Sequence, residues 1–213
     1  MQTVSGEYQY FLNGEKTGVT ETFRIERHGD SSVKTFSLRD ASVYDTTISV
    51  TADETGGQYR SFEITFVKNI KARARYTFAS DGFRFERYID GKSINDETYI
   101  LPAGCLIFPL MRCFQGHTIL QVAASQAETT VLVPFIENPD DAEKILTPTF
   151  DLRTAAEIRV ENDDRVFKYR SKHYDDESEF LINKKGLLAA YRFPQTPEKL
   201  WEVRLENPTT GIL

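Results

Sequence analysis

The sequence predicts an all-β fold: a single domain over residues 1–213, built as an antiparallel half-barrel or flattened barrel wrapped around a short helix. The chain is rich in aromatic residues, with 15 Phe and 10 Tyr, and such residues favour half-buried strands. Turn dipeptides such as Asn13-Gly14 and Asp90-Gly91 separate about a dozen short alternating segments. So many antiparallel strands must curl or close, because a flat open sheet exposes two edges that promote aggregation.

The clearest strands lie in the middle of the chain. Phe62, Ile64 and Phe66 alternate with polar residues, and Phe83 and Phe85 do the same one hairpin later. Such alternation places each set on one face of a sheet. Successive hairpins of this kind predict an antiparallel meander, whose strands cover residues 60–66, 72–78, 83–88 and 93–101.

The flanking thirds of the chain show the same pattern. In residues 19–27, Val19, Phe23 and Ile25 share one face of the predicted strand. The tail, residues 207–213, is expected to be loose. The other predicted strands cover residues 6–13, 33–38, 44–51, 118–123, 129–136, 150–161, 165–174, 179–184, 187–193 and 200–206.

The longest strongly apolar stretch, residues 99–119, does not alternate. Periodicity alone cannot distinguish a buried strand from a short helix here. Pro102 suits the start of a helix and Gly116 its end, so residues 103–115 are predicted to form an apolar plug inside the curved sheet. A second, short helical turn is predicted over residues 139–145, where an asparagine cap, a proline and acidic residues follow one another.

Cys105 and Cys113 both lie within this apolar stretch. Two cysteines make neither a disulfide framework nor a zinc site. We interpret them as small buried hydrophobic residues, with a disulfide between them as the alternative.

The bulk properties exclude several classes of partner. The net charge is -6 at pH 7 and the pI is near 5.2, whereas a protein that binds nucleic acid usually has a basic face. No apolar run reaches the roughly 18 residues that span a bilayer. The N terminus has neither the basic nor the apolar region of a signal peptide. We therefore expect a cytoplasmic protein, or a periplasmic one if the chain is a processed mature form.

The sequence has no catalytic or metal-binding signature. It contains no glycine-rich phosphate loop, no G-x-S-x-G elbow and no H-E-x-x-H motif, and its three histidines have no metal-binding spacing. It therefore predicts no catalytic residue, no metal and no cofactor. His117, which follows the apolar plug, is expected at the mouth of a cavity. Arg73 and Arg75 share one face of a strand and form either an anion-binding rim or a solvated outer face.

Three groups of residues give the chain a resemblance to a known set of proteins. The first is an opening Y-x-Y-x-L-x-G-x-x-x-G, formed by Tyr8, Tyr10, Leu12, Gly14 and Gly18. The second is a central L-P-A-G at residues 101–104, followed by an apolar stretch that ends in Met111 and Arg112. The third is a late F-L-I-N-K-K-G-L-L at residues 180–188. In these features the chain resembles uncharacterised bacterial β-rich proteins related in fold to the lipoprotein-localisation factors and to predicted glycolipid-binding proteins. The resemblance implies a strongly curved antiparallel sheet that wraps a short helix and leaves a hydrophobic cavity.

The expected function is non-catalytic binding of a lipid or other hydrophobic small molecule in that cavity. One alternative is an enzyme of the isomerase or cyclase type, acting on a hydrophobic substrate in the same cavity. A second is a structural or interaction protein with no cavity. The missing catalytic signature favours binding over catalysis. The candidate ligand-binding residues are those expected to face the plug or to rim the cavity: Phe62, Ile64, Phe66, Phe83, Phe85, Phe108, Met111, Arg73, Arg75 and His117.

Overall fold

The predicted all-β fold is confirmed by the structure, a computed structural model that describes residues 1–136, 138, 140–171 and 178–212. Within these residues, fifteen strands form one sheet, accompanied by one α-helix and a single 3-10 turn at Ser42–Tyr44. In chain order the elements are β1 (Gln2–Leu12), β2 (Glu15–Arg27), β3 (Ser32–Ala41), β4 (Thr46–Thr55), β5 (Gln58–Val67), β6 (Lys71–Phe78), β7 (Gly82–Ile89), β8 (Lys92–Ile100), β9 (Leu106–Ile107), α1 (Arg112–Ser125), β10 (Thr129–Pro134), β11 (Pro148–Glu161), β12 (Asp164–Arg170), β13 (Glu179–Ile182), β14 (Leu188–Thr196) and β15 (Lys199–Ile212).

The sheet consists of two meanders joined at its centre. The strand order is β8-β7-β6-β5-β4-β3-β2-β1-β15-β14-β13-β12-β11-β10-β9. The chain runs outward from β1 to β8, crosses through β9 and α1 to β10, and returns from β11 to β15. Among the strands of the described residues, only β9 and β10 pair in parallel. The helical crossover between them is the connection that a parallel pair requires. The prediction of a loose tail is wrong for residues 207–212, which form the end of β15 and pair with β1, with Ile212 opposite Gln2. Residue 213 lies outside the described residues.

Local turn chemistry explains the hairpins. At Asn13-Gly14 the two φ angles are 52° and 84°, and at Asp90-Gly91 they are 49° and 80°. Two-residue hairpin turns need positive φ at both central residues, which Asn, Asp and Gly adopt at little cost. These dipeptides therefore set where the strands reverse.

The sheet curves around α1, which gives the half-barrel. Buried side chains from both meanders and from α1 belong to one hydrophobic cluster. The helix packs against β9, β11 and β14. At Gly116 the approach is so close that a Cβ atom would lie 2.4 Å from the carbonyl oxygen of Gly186. Among the described residues, the end strands β8 and β9 do not pair with one another, so the sheet stays open.

The helix lies later in the chain than the sequence predicts. Residues 103–115 include β9, a turn and only the first residues of α1, which continues to Ser125. The strand predicted over residues 118–123 is therefore wrong. Its β-branched residues favour a strand by propensity, but packing against the sheet overrides that preference. Gly116 is an interior residue of the helix, since its missing side chain permits the close approach to the sheet.

The segment between β10 and β11 covers one end of the first meander. Residues 140–147 form turns, and one helical hydrogen bond joins the Ile145 N–H to the Asp141 carbonyl at 2.8 Å. Tyr76 Oη donates to the Leu146 carbonyl at 2.6 Å, and Arg87 donates to the Ile145 carbonyl at 3.1 Å. Residue 139 of the predicted helical turn and residues 172–174 of a predicted strand lie outside the described residues.

Candidate functional site

A buried carboxylate holds the start of α1. Glu21 lies on the inner face of β2 and is fully buried. Its Oε1 accepts a hydrogen bond from the backbone N–H of Arg112 at 2.5 Å. Its Oε2 accepts from Tyr10 Oη at 3.1 Å and from Nε and Nη2 of Arg39 at 3.0 and 2.8 Å. The carboxylate is thus saturated, and it caps a helix N terminus, where negative charge is favourable.

The electrostatics of this network keep Arg39 charged. Burial acts to lower the pKa of Arg39, but Tyr10 and Glu21 outweigh it and raise that pKa above its usual value. Burial raises the pKa of Tyr10 as well. The phenol therefore keeps its proton and can donate it to the carboxylate.

The side chain of Arg112 links this network to the second meander. Its Nη1 donates to Gln115 Oε1 at 2.6 Å, and its Nε donates to Tyr10 Oη at 3.3 Å. Its guanidinium lies 5.0 Å from the ring centre of Tyr191, a cation–π distance. These contacts fix the orientation of the arginine at the start of the helix.

A cavity of about 290 Å³ lies beside the network; we call it the helix-start cavity. Part of its wall is apolar and part is polar. The apolar lining residues are Phe108, Leu110, Val133, Pro134, Phe135 and Ile136, and the polar ones are Arg39, Arg112, Thr149, Asp151 and Arg153.

The polar wall is held by a second buried pair, on β11. Arg153 is only 3% exposed, and its Nε donates to Asp151 Oδ2 at 3.0 Å. Its Nη1 donates to Tyr169 Oη at 2.5 Å, and its guanidinium lies 5.3 Å from the ring centre of Phe108. The usual polarity of the strand faces is reversed here, because the charged residues point inward while the neighbouring Leu152 is exposed. The structure thus places fixed charge against an apolar space.

The loop before α1 adds a strained residue to the cavity wall. Leu110 has φ 71°, and the Met111 N–H donates to the Pro109 carbonyl at 2.9 Å, closing a three-residue turn. Positive φ is rare for a branched, bulky residue, and such strain concentrates at functional sites. The turn brings Leu110 into the cavity wall and leaves Met111 directly before the helix.

The aromatic residues predicted to line a cavity lie in the packed core of the first meander. Phe62 stacks on Tyr76 with ring centres 4.3 Å apart. None of this group lines the helix-start cavity. Their role as ligand contacts stays a prediction, whereas their packing is observed. The residues concerned are each at most 2% exposed: Phe62, Ile64, Phe66, Phe83 and Phe85.

The other predicted site residues lie in several places. Phe108 lines the helix-start cavity, and the neighbouring Met111 is fully buried. Arg73 and Arg75 are exposed on the outer face of β6, where Arg73 covers the ring of Tyr88 at 4.6 Å. Their position agrees with a solvated face. The structure does not bring them to the cavity.

His117 lines a different space, a groove of about 500 Å³ that it shares with Cys113 and Glu54. The ring is partly exposed. Desolvation by the groove, aided by Arg27, lowers the pKa of His117. Both cysteines are free thiols, with Cys113 buried and Cys105 half-buried. Over the described ranges, no group of three or more His, Cys, Asp and Glu side chains is placed to hold a metal ion.

Sequence reasoning missed the charged residues of the site, although one signal was present. Glu21 alternates in phase with Val19, Phe23 and Ile25, so it is a charge on an apolar face. Such a residue is almost never fully buried unless it is paired. Arg39 stands directly opposite Glu21 on β3, a pairing that only the strand register reveals.

The comparisons with known proteins give the fold and no family. No protein-family model matches the chain, and no curated protein matches it. No helix of the described residues is long and apolar enough to cross a membrane. Among solved structures, the chain is similar to the crystal structure of a β-barrel-like protein of the domain of unknown function DUF1849 from Brucella abortus, with a TM-score of 0.56, 9% identity, and 99% of this chain and 98% of that chain covered. At this identity the similarity shows the fold alone, so the protein has the β-barrel-like fold of that bacterial structure.

Proposed function

We propose that the protein binds a small hydrophobic molecule in the helix-start cavity without transforming it. The observation that carries the proposal is a partly open pocket with one apolar wall and a few fixed polar groups, the usual composition of a small-molecule site. The strained turn at Leu110 supports the same location. The likeness to lipoprotein-localisation factors and glycolipid-binding proteins gives the same expectation of a hydrophobic ligand.

The volume limits the size of the ligand. At roughly 30 Å³ per non-hydrogen atom, the volume of a water molecule in the liquid, 290 Å³ accommodates about ten such atoms. A lipid with two acyl chains is too large to enter whole. A single ring, or a chain of about eight carbon atoms, matches the space.

The proposal is tested by titrating the protein with octan-1-ol and following the backbone amide signals by NMR. Binding energies per non-hydrogen atom range from about -0.3 to -1.5 kcal/mol. A value near -0.6 over about ten atoms gives roughly -6 kcal/mol, which is a Kd of tens of micromolar. We expect saturable shifts that concentrate on Leu110, Val133 and Phe135.

A cavity-filling variant provides the control. Thr149 lines the cavity and is half-buried, so Thr149→Trp should block binding while the protein remains folded. Thr22→Trp, at an exposed position of β2, should bind like the wild type. A structural protein with no ligand predicts no saturable shifts. An enzyme predicts that a bound ligand is converted, which the spectrum of the ligand would reveal.

A further inference from the structure

We infer that the ligand of the helix-start cavity carries an anionic head group, a carboxylate or phosphate, that the guanidinium of Arg39 recognises. This inference rests on the proposed function and adds the chemical class of the ligand. Three guanidinium groups and one carboxylate are among the residues that line the cavity: Arg39, Arg112, Arg153 and Asp151. Glu21, which pairs with Arg39 from behind the wall, is a second carboxylate, so three cations face two anions and the site keeps a net positive charge.

The ion pair of Arg39 and Glu21 is oriented toward this space. Arg39 lines the cavity, whereas Glu21 does not. Nε and Nη2 of Arg39 both donate to a single oxygen of Glu21. Within the described part of the chain, Nη1 of Arg39 is not engaged in that pair, so it keeps donors for a second acceptor. A planar guanidinium with free donors suits carboxylate and phosphate oxygens.

The start of α1 is not the anion site. The Arg112 N–H, the first of the helix, already donates to Glu21 Oε1 at 2.5 Å. Glu21 thus neutralises the helix end and leaves recognition to the side chains of the wall.

The apolar wall strengthens the preference for an anionic ligand over a neutral one. A charged hydrogen bond beside apolar side chains is screened less than in water. A neutral ligand that fills the space desolvates the Arg39 head without replacing its water contacts, which is unfavourable. An anionic ligand of the same shape restores those contacts. We therefore expect an anionic ligand to bind about 10–100-fold more tightly than its neutral counterpart.

The test compares octanoate, octyl phosphate and octan-1-ol on the wild-type protein by isothermal titration calorimetry. The expected result is at least tenfold tighter binding of octanoate, octyl phosphate or both than of the alcohol. The stronger of the two anions identifies the head group. If the alcohol binds as tightly as both anions, the anionic head group is refuted while the proposed function stands. If none of the three binds, the proposed function fails, and the inference fails with it.

Two variants assign the preference to Arg39. The double substitution Glu21→Gln and Arg39→Gln removes both charges of the pair together, so that neither is left buried alone. It should lose most of the preference for the anion over the alcohol, because the anion loses its guanidinium partner and the alcohol no longer desolvates a charged group. Arg84→Gln, at an exposed arginine of β7, should keep the full preference. An unchanged preference in the double variant overturns the role of Arg39. If the double variant does not fold, the wild-type comparison of the three ligands still decides the inference.

Discussion

Glu21→Gln removes one negative charge from the buried network and changes the size of the side chain little. The carboxylate is fully buried and accepts hydrogen bonds from Tyr10, Arg39 and the backbone of Arg112. An amide presents only one acceptor oxygen, so Arg39 or the helix end loses its partner. Removing one member of a buried ion pair costs about 3–5 kcal/mol. We expect a loss of this size in the free energy of unfolding, with each kcal/mol lowering Tm by about 2–4 °C for a chain of this length.

The assay is urea unfolding followed by far-ultraviolet circular dichroism, with thermal unfolding as a second measure. The matched control is Asp96→Asn. Asp96 pairs with Arg84 at 2.7 Å, but both side chains are 55% exposed, and an exposed ion pair contributes little because water solvates both partners. The control should therefore unfold close to the wild type. If Glu21→Gln unfolds at the same urea concentration as Asp96→Asn, the network does not anchor the helix, and the reasoning is wrong.

Two further predictions concern packing and thiol chemistry. Gly116→Ala should lower the free energy of unfolding, measured by thermal unfolding, by about 1–3 kcal/mol or more, because the added Cβ would lie 2.4 Å from the Gly186 carbonyl oxygen. The control Gly29→Ala should unfold like the wild type, since its Cβ meets nothing within 4 Å. Burial raises the pKa of Cys105 to about 11 from the ordinary 9.0. Because only the thiolate reacts, alkylation of Cys105 at pH 8, measured in a Cys113→Ala variant, should be about 100-fold slower than that of an unperturbed thiol. An alkylation rate that levels off near pH 9 would contradict this pKa.

Most of the strands could be predicted from the sequence because the signals that specify them are local. Alternation at Phe62, Ile64 and Phe66 depends only on the two-residue period of a strand. The Asn13-Gly14 and Asp90-Gly91 turns depend on which residues tolerate positive φ. Each signal lies within a few residues of the feature it predicts.

The helix was placed too early because its position depends on a distant contact. Residues 118–123 have the composition of a strand, yet they lie in α1. The close approach of Gly116 to Gly186 joins parts of the chain that are remote in sequence. Only the packing of α1 against the turn between β13 and β14 brings these two glycines together, and local propensity contains no information about it.

The all-β class, most strand positions and the hairpin turns follow from the sequence alone, since periodicity and turn chemistry act over a few residues. The location of the cavity depends on the tertiary structure. Arg39, on β3, and Arg153, on β11, meet at one space only because the sheet curves around the helix. Alternation marks the inner face of a strand in the same way whether that face is packed core, as at Phe85, or lines a cavity, as at Arg39. The curvature of the sheet decides whether an inward residue is packed core or cavity wall, and that curvature arises from the packing of the whole sheet.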